Sequence, residues 1–411
     1  MTPRRRLVII GGGLTAHSAA MAARHNGFEG EITMISEEAS VPYDRTPLSK
    51  AVLQGKREAA DLGFQPDGDY AGHEITVLTE SRVSEVDTER QRVGLSSGDE
   101  MPWDDLLIAT GARPIHLQGP GFDLPGVHYL RTIPDAEAMK ADLERAERVV
   151  VIGAGFIGSE VAASARTLGK QATLVDMFDA PMSNALHPDI TAVCAEIHRG
   201  HGVDLRMNSR VTELRGSEQV EQAVLADGTA IECDMAVVGV GVRPNVELLT
   251  DTGIDIDNGV VTDEFCRTSI PHVHAAGDVA NWWHPELNQR IRVEHFDNAG
   301  AQGTHVGKVI AGATEEPFAP VPYFWSDQYD TNIQYAGFPV DGCELVIRGN
   351  PEERAITAFY LHDGVVCAAV TVNQAREFRS ARRLVAARAA IDPETLRAPA
   401  TDIRKLSREY R

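Results

Sequence analysis

Arg6-Leu7-Val8-Ile9-Ile10-Gly11-Gly12-Gly13-Leu14-Thr15-Ala16 is the stretch that decides the fold. An apolar run of strand length stops at three glycines. A helical stretch then opens at Thr15 and runs to about Asn26, closed by Gly27. Gly11-x-Gly13-x-x-Ala16 is the small-residue form of the dinucleotide-binding turn. Gly11 makes the tight turn and Gly13 lets the backbone approach a pyrophosphate. Ala16 lets the helix pack close to the strand, so the helix N-terminus faces the anion. A second strand, Glu31–Ser36, delivers Glu37, 24 residues after Gly13, where a ribose-binding acid belongs. A glycine motif alone reads equally well as a structural turn. Strand, helix, strand and acid in this order make it a nucleotide site.

The unit recurs. Arg148–Ile152 feeds Gly153-Ala-Gly155-Phe156-Ile157-Gly158, a helix to Leu168, the strand Gln171–Val175 and then Asp176, 18 residues after Gly158. One nucleotide needs one such unit, so two units 142 residues apart mean two nucleotide sites. Asp176 favours a free ribose 2′-hydroxyl, and Met177–Ser183 contains no Arg for a 2′-phosphate, so NADH is preferred over NADPH. Two further segments rhyme, Leu106–Pro114 and Met235–Pro244, each an apolar strand followed by glycine and Arg-Pro. They read as paired crossovers between domains. A last strand of this kind, Val273–Ala276, ends at Gly277-Asp278. Strand ends at the carboxyl edge are where open α/β sheets bind ligands.

The fold class is therefore α/β: two Rossmann-like dinucleotide-binding domains plus a C-terminal α+β domain with an antiparallel sheet. The expected boundaries are 1–114 with 245–320 for the first domain, 115–244 for the inserted second and 321–411 for the third. In the third, short strands at 323–329, 333–338, 344–348, 355–361 and 365–372 precede a helix from Arg376 to about Ala390.

Composition narrows the function. The chain has 411 residues, 43% hydrophobic, too many for one ordinary core. Its formal net charge of −21 argues against nucleic acid and anionic membrane surfaces as partners. No apolar run approaches the roughly 18 residues of a membrane span. The basic start is followed only by Leu7–Ile10, too short for a signal-peptide core, so the cytoplasm is the expected location. Five cysteines lie at least 24 residues apart without Cys-x-x-Cys, which reads as free buried thiols.

Narrower motifs carry a resemblance. They are Pro42-Tyr-Asp-Arg45-Thr46-Pro-Leu-Ser-Lys50, Glu294 with Asn298-Ala-Gly-Ala-Gln302-Gly303, and Phe324-Trp325-Ser326-Asp327-Gln328. With the two glycine motifs, Ala109-Thr110-Gly111 and Gly277-Asp278, the chain resembles the FAD-dependent NADH:ferredoxin reductases that serve bacterial cytochromes P450 and aromatic-ring dioxygenases. That resemblance implies FAD in the first nucleotide domain and NADH in the second. It assigns FAD to Gly11, Gly13, Leu14, Thr15, Ala16, Glu37, Arg45, Lys50, Val83, Ala109, Thr110, Gly111, Arg131, Gly277, Asp278, Phe296 and Trp325. It assigns NAD to Gly153, Gly155, Phe156, Ile157, Gly158, Glu160, Asp176, Gly241 and Glu294. Thr15 would hold the pyrophosphate, Asp278 the ribityl chain, and Phe296 and Trp325 would flank the isoalloxazine, with Lys50 near flavin N5. Thr46 stands where the family has a first proline, and His17 where it often has glycine.

The chemistry asks little of the protein beyond alignment and charge. A cation near flavin N5 and N1 stabilises the reduced ring. Lys50 is expected to pair with Glu160 across the two domains; the alternative is two solvated surface charges. No residue is expected to act as a nucleophile, because the first cysteine is Cys194, beyond the first nucleotide unit. His272, His274 and His284, and His198 with His201, read as ordinary histidines, and no metal site is expected. Trp282 and Trp283 are expected to pack near the first domain.

The resemblance implies a [2Fe-2S] ferredoxin as partner, docked through the C-terminal domain; a dimerisation module is the other reading of that domain, leaving a monomer or a homodimer. Residues 321–411 carry 12 basic and 12 acidic side chains, and 10 of the basic ones fall within Arg376–Arg411, either a docking patch or a solvated helix face. Two other functions stay open: an NADH-responsive binding flavoprotein like the apoptosis-inducing relatives, and a reductase of rubredoxin, quinones or oxygen.

Overall fold

The computed structural model describes residues 4–410; Arg411, the last of the basic cluster, lies outside them. In chain order, the elements that matter for the site are β1 (Arg6–Ile10), α1 (Leu14–His25), β2 (Glu31–Ile35), β3 (Ile75–Leu78), β4 (Asp105–Ile108), β5 (Val127–His128), β6 (Arg148–Ile152), α2 (Phe156–Thr167), β7 (Gln171–Val175), α3 (Pro188–Gly200), β8 (Asp204–Arg206), β9 (Met235–Val238), β10 (Val273–Ala275), α4 (Phe296–Ile310), β11 (Tyr323–Gln328), β12 (Thr331–Gly337), β13 (Glu344–Asn350), β14 (Ala355–His362), β15 (Val365–Val372) and α5 (Ala375–Ala386). No helix among the described residues is long and apolar enough to cross a membrane.

The chain forms two units. The first gathers residues up to Asp44 with Ala60–Arg113 and Arg243–Pro320. Its five-stranded sheet has the order β10-β4-β1-β2-β3, with every pairing parallel. Leu7, Val8, Ile9 and Ile10 are all buried, as a central parallel strand covered on both faces requires. Helix α1 turns a face of Thr15, Ala16, Ala19, Ala20 and Ala23 inward. A Cβ added at Gly303 of α4 would lie 2.4 Å from the Thr15 carbonyl oxygen, and one at Gly307 2.3 Å from that of Ala19. The glycines of α4 thus let two helix backbones nearly touch, which fixes the N-terminus of α1 over the sheet edge.

The second unit holds Arg45–Ala59, Pro114–Val242 and the chain from Val321 on. Its parallel sheet runs β8-β7-β6-β9-β5. A separate antiparallel sheet has the order β11-β12-β15-β14-β13, carrying α5. Two features differ from the expected boundaries. Residues 45–59 group with the second nucleotide sheet because Leu53 enters a core with Met139, Val151 and Val161. The C-terminal sheet groups with it too, because Met182, Ile190 and Cys194 share a core with Phe324, Tyr335 and Val370.

Helix α5 buries Phe378, Ala381, Leu384 and Val385, but it stops at Ala386 rather than near Ala390. Arg388 takes φ +45°, and the Arg388 and Ala389 amides donate back to Val385 and Leu384, a left-handed helix termination. Trp282 is fully buried in the strand Ala280–His284 beside Phe318, inside the first unit.

Candidate functional site

In the first unit, parallel register aligns the carboxyl ends of four strands. Ile10 pairs with Ile35 and with Ile108, and Ile108 with Ala275. The residues that follow, Gly11, Glu37, Ala109 and Gly277, therefore share one edge. Gly11 has φ +135°, and a Cβ there would lie 2.1 Å from the Ala109 carbonyl oxygen, so only glycine can make this turn. Gly13, the N-cap of α1, has open space where a Cβ would go. That opening, faced by the free amides of a helix N-terminus, fits a pyrophosphate. Leu14 and Ala16 continue into α1 behind it.

Gly277 sits directly on Thr15: a Cβ would lie 2.2 Å from its hydroxyl oxygen. The Gly277 amide donates to Gln302 Oε1 at 2.7 Å, so α4 anchors the turn that carries Asp278. Thr110 and Asn245 exchange two 2.8 Å hydrogen bonds beside Gly111, which has φ +65°. Glu37 is exposed at the end of β2, and Val83 opens the strand Val83–Asp87. Phe296, the first residue of α4, lies 6.4 Å from Phe64, which stacks on His17 at 4.9 Å. Burial pushes the His17 ring down to about 4, and it meets the Tyr70 hydroxyl at 2.9 Å. Glu294 pairs with Arg292 at 2.5 Å.

The second unit repeats the cradle. Gly153 (φ +102°) would place a Cβ 2.3 Å from the Gly239 carbonyl oxygen, Gly155 again faces open space, and a Cβ on Gly158 would strike the Gly153 carbonyl at 1.9 Å. The Asp176 carboxylate accepts the Ala154 amide and, at 2.9 Å, that of Phe178, tying the acid to the glycine turn. Ile157, Met177, Phe178 and Val240 are large apolar side chains left exposed around this turn, next to Gly241. Exposed apolar surface beside an anion cradle fits a nucleotide with flat rings. Phe156 packs on Phe324, with ring centroids 4.5 Å apart.

Lys50 lies in a single π-helical turn, Leu48–Val52, pinned to α2. Gln54 Nε2 donates to Ser164 Oγ at 2.9 Å, and Ser164 Oγ donates to the Ser49 carbonyl at 2.8 Å. One turn earlier on α2, Glu160 accepts Lys50 Nζ at 2.9 Å. Glu160 is 4% exposed and Lys50 20%, so this is a largely desolvated pair rather than two surface charges. Both residues belong to the second unit, so the pair lies within one unit, whereas the sequence leads to the expectation of a pair across the two nucleotide domains. Two partners of Glu160 have no part in the sequence-derived set: Ser49, at 2.5 Å, and Ser326, at 2.8 Å. Arg45 donates to the Arg131 carbonyl at 2.9 Å, and Trp325 stacks on Tyr323, over which Arg382 lies at 4.8 Å.

The histidines fall into packing roles. His198 is buried against the Tyr329 hydroxyl at 3.1 Å, and His201 stacks on the Tyr329 ring at 3.7 Å. His274 is buried in β10, which lowers its ring to about 3. Cys266 lies inside the first unit, in its segment Arg243–Pro320. Burial raises that thiol far above the range of a reactive thiolate. Cys343 and Cys367, 24 residues apart in the chain, bring their sulfurs to 3.3 Å.

Residues 5–303 match the family model described as pyridine nucleotide-disulphide oxidoreductase, and residues 323–407 match a reductase C-terminal model. The ferredoxin–NAD(+) reductase component of an anthranilate 1,2-dioxygenase system from Burkholderia cepacia is 37% identical over 97% of this chain and 98% of its own. The ferredoxin reductase of the CYP199A2 system from Rhodopseudomonas palustris superposes with a TM-score of 0.95 at 33% identity, covering 98% of this chain and 99% of that one. Putidaredoxin reductase in its covalent complex with putidaredoxin gives 0.95 at 31% identity, covering 100% and 99%. With two dinucleotide cradles in one chain, followed in sequence by a reductase C-terminal domain, this protein belongs to the pyridine nucleotide-disulphide oxidoreductase family, among the FAD- and NAD(H)-using ferredoxin reductases.

Proposed function

We propose that the chain carries electrons from NADH through FAD to a [2Fe-2S] ferredoxin that feeds a cytochrome P450 or a Rieske oxygenase, in the cytoplasm, as a monomer or homodimer. The observation that supports this most strongly is the pair of cradles at Gly13 and Gly155, each open where a Cβ would stand. FAD, when bound, supplies the hydride acceptor and releases electrons singly. The chain's own residues do the rest. The free amides of α1 and Thr15 bind the first pyrophosphate, Glu37 the adenosine ribose, and Asp278 the ribityl chain. The amides of α2 and Asp176 bind NADH, with Ile157, Met177 and Phe178 shielding its rings from water. Glu160 holds the Lys50 ammonium, whose charge favours the reduced flavin. Phe296, at the start of α4, would lie against the ring.

The cysteines offer no redox pair beside the first cradle, so electrons leave to an external acceptor. Arg376, Arg379 and Arg383 are exposed on α5, and Arg382 joins that helix to the Tyr323–Trp325 stack. We assign α5 as the ferredoxin-facing surface. The test is bleaching of the flavin by NADH, followed by cytochrome c reduction with and without candidate ferredoxins. Stimulation by a ferredoxin is expected, and its absence with every ferredoxin encoded nearby defeats the reading. Lys50→Ala with an unchanged flavin potential and hydride-transfer rate removes Lys50 from it.

A further inference from the structure

Strand β11 breaks its own pattern. Phe324, Ser326 and Gln328 alternate on its buried face, yet only Phe324 is apolar. A fully buried serine and glutamine on a core face cost stability unless their hydrogen bonds are used. Here they are. Ser326 Oγ donates to Glu160 Oε1 at 2.8 Å, while Ser49 and Lys50 fill Oε2. Glu160 is thus a buried carboxylate whose observed partners can all donate.

A hydroxyl can donate or accept, so something must set the direction of Ser326. Behind it, Gln328 Nε2 donates to Ser326 Oγ at 3.2 Å and approaches Met182 Sδ at 3.8 Å. Gln328 Oε1 is buried and makes no hydrogen bond, and the same holds for His198 Nε2. Burial lowers that ring to about 4, while the Gln328 side chain works in the opposite direction. With the amide nitrogen of Gln328 donating to Ser326, a serine lone pair is occupied and its hydrogen points at Glu160.

We infer that Ser326, oriented by Gln328, is a positioning residue that keeps Glu160 an acceptor on both oxygens and so keeps the Lys50 ammonium in place. The charge offered to the flavin is then set from β11, 166 residues along the chain from Glu160. This rests on the reading of Lys50 and Glu160 given above.

The test compares holoenzymes carrying Glu160→Gln, Ser326→Ala and both. It reads the midpoint potential of the bound flavin, its rate of reduction at saturating NADH, and the KM for NADH. Glu160→Gln is expected to shift the potential. Ser326→Ala is expected to shift it the same way by less and to slow flavin reduction by up to about tenfold at unchanged KM, and to add nothing in the Glu160→Gln background. If Ser326→Ala loses FAD on purification, Gln328→Leu gives the same comparison. A shift with Glu160→Gln and none with Ser326→Ala overturns the inference and leaves the Lys50–Glu160 reading standing. No shift with either overturns both. A lower melting temperature for Ser326→Ala at an unchanged potential makes the serine a space-filler and also overturns it.

Discussion

Alanine at Gly11 and alanine at Gly13 should fail in different ways, although the two positions are nearly adjacent. At Gly11 the new Cβ meets a backbone carbonyl at 2.1 Å, about 1.5 Å inside ordinary contact. That carbonyl belongs to Ala109, directly after β4, so it cannot swing aside. The φ of +135° adds backbone strain. Strain and overpacking together cost about 4 kcal/mol, which lowers the melting temperature of the FAD-stripped protein by about 10 °C. At Gly13 the backbone is extended, with φ −96° and ψ −169°, and the Cβ enters empty space. The cost to the fold is about 1 kcal/mol or less, because only the N-cap preference changes. The methyl group nevertheless stands where the pyrophosphate must approach. Gly13→Ala should therefore melt within about 3 °C of the parent as apoprotein and bind FAD at least about tenfold more weakly. Thermal scans of the stripped proteins, then FAD titration followed by visible absorbance, separate the two effects. If Gly13→Ala binds FAD like the parent, or melts as early as Gly11→Ala, the assignment of the cradle is wrong.

Further outcomes follow from other parts of the molecule. Asp176→Asn should raise the KM for NADH about tenfold and that for NADPH less, since a charged acceptor for the ribose becomes neutral; equal changes for both nucleotides would remove Asp176 from ribose recognition. His198 is buried with its pKa lowered to about 4, so the folded state keeps it neutral while the unfolded chain protonates near about 6.5. Its contribution is complete above about pH 6.5 and is lost as the pH falls toward about 4. His198→Phe should remove about 3 kcal/mol of that acid-side loss, read from urea melts across the interval. A trivalent arsenical that bridges two thiols should label one site, Cys343 with Cys367, and Cys367→Ser should abolish the labelling, because the other three thiols are buried. Reversing Arg382 and Arg383 to Glu should weaken ferredoxin turnover and flatten its salt dependence while sparing ferricyanide reduction; loss of both activities would mean the change damaged the fold rather than the docking face.

Both nucleotide cradles were legible in the sequence because their chemistry is local. A turn that must pass a carbonyl, an amide that must meet a phosphate and an acid one strand away all lie within about thirty residues, so spacing alone exposes Gly11–Ala16 with Glu37 and Gly153–Gly158 with Asp176. The apolar runs Leu7–Ile10 and Val149–Ile152 likewise announce central parallel strands, because nothing polar can survive there. The Lys50–Glu160 pair came from motif position, and its geometry only from the fold. Ser49 sits in a π-helical turn whose backbone has no sequence signature, and Ser326 reads as a polar position on a strand of mixed character. Nothing in either segment says that both hydroxyls end on one carboxylate. The same holds for the sulfurs of Cys343 and Cys367, and for residues 45–59, which left the first nucleotide unit for the second once Leu53 found its core. Close approach between residues far apart in the chain is decided by how sheets and helices stack, and that stacking is driven by apolar area, which is blind to the polar atoms it brings together.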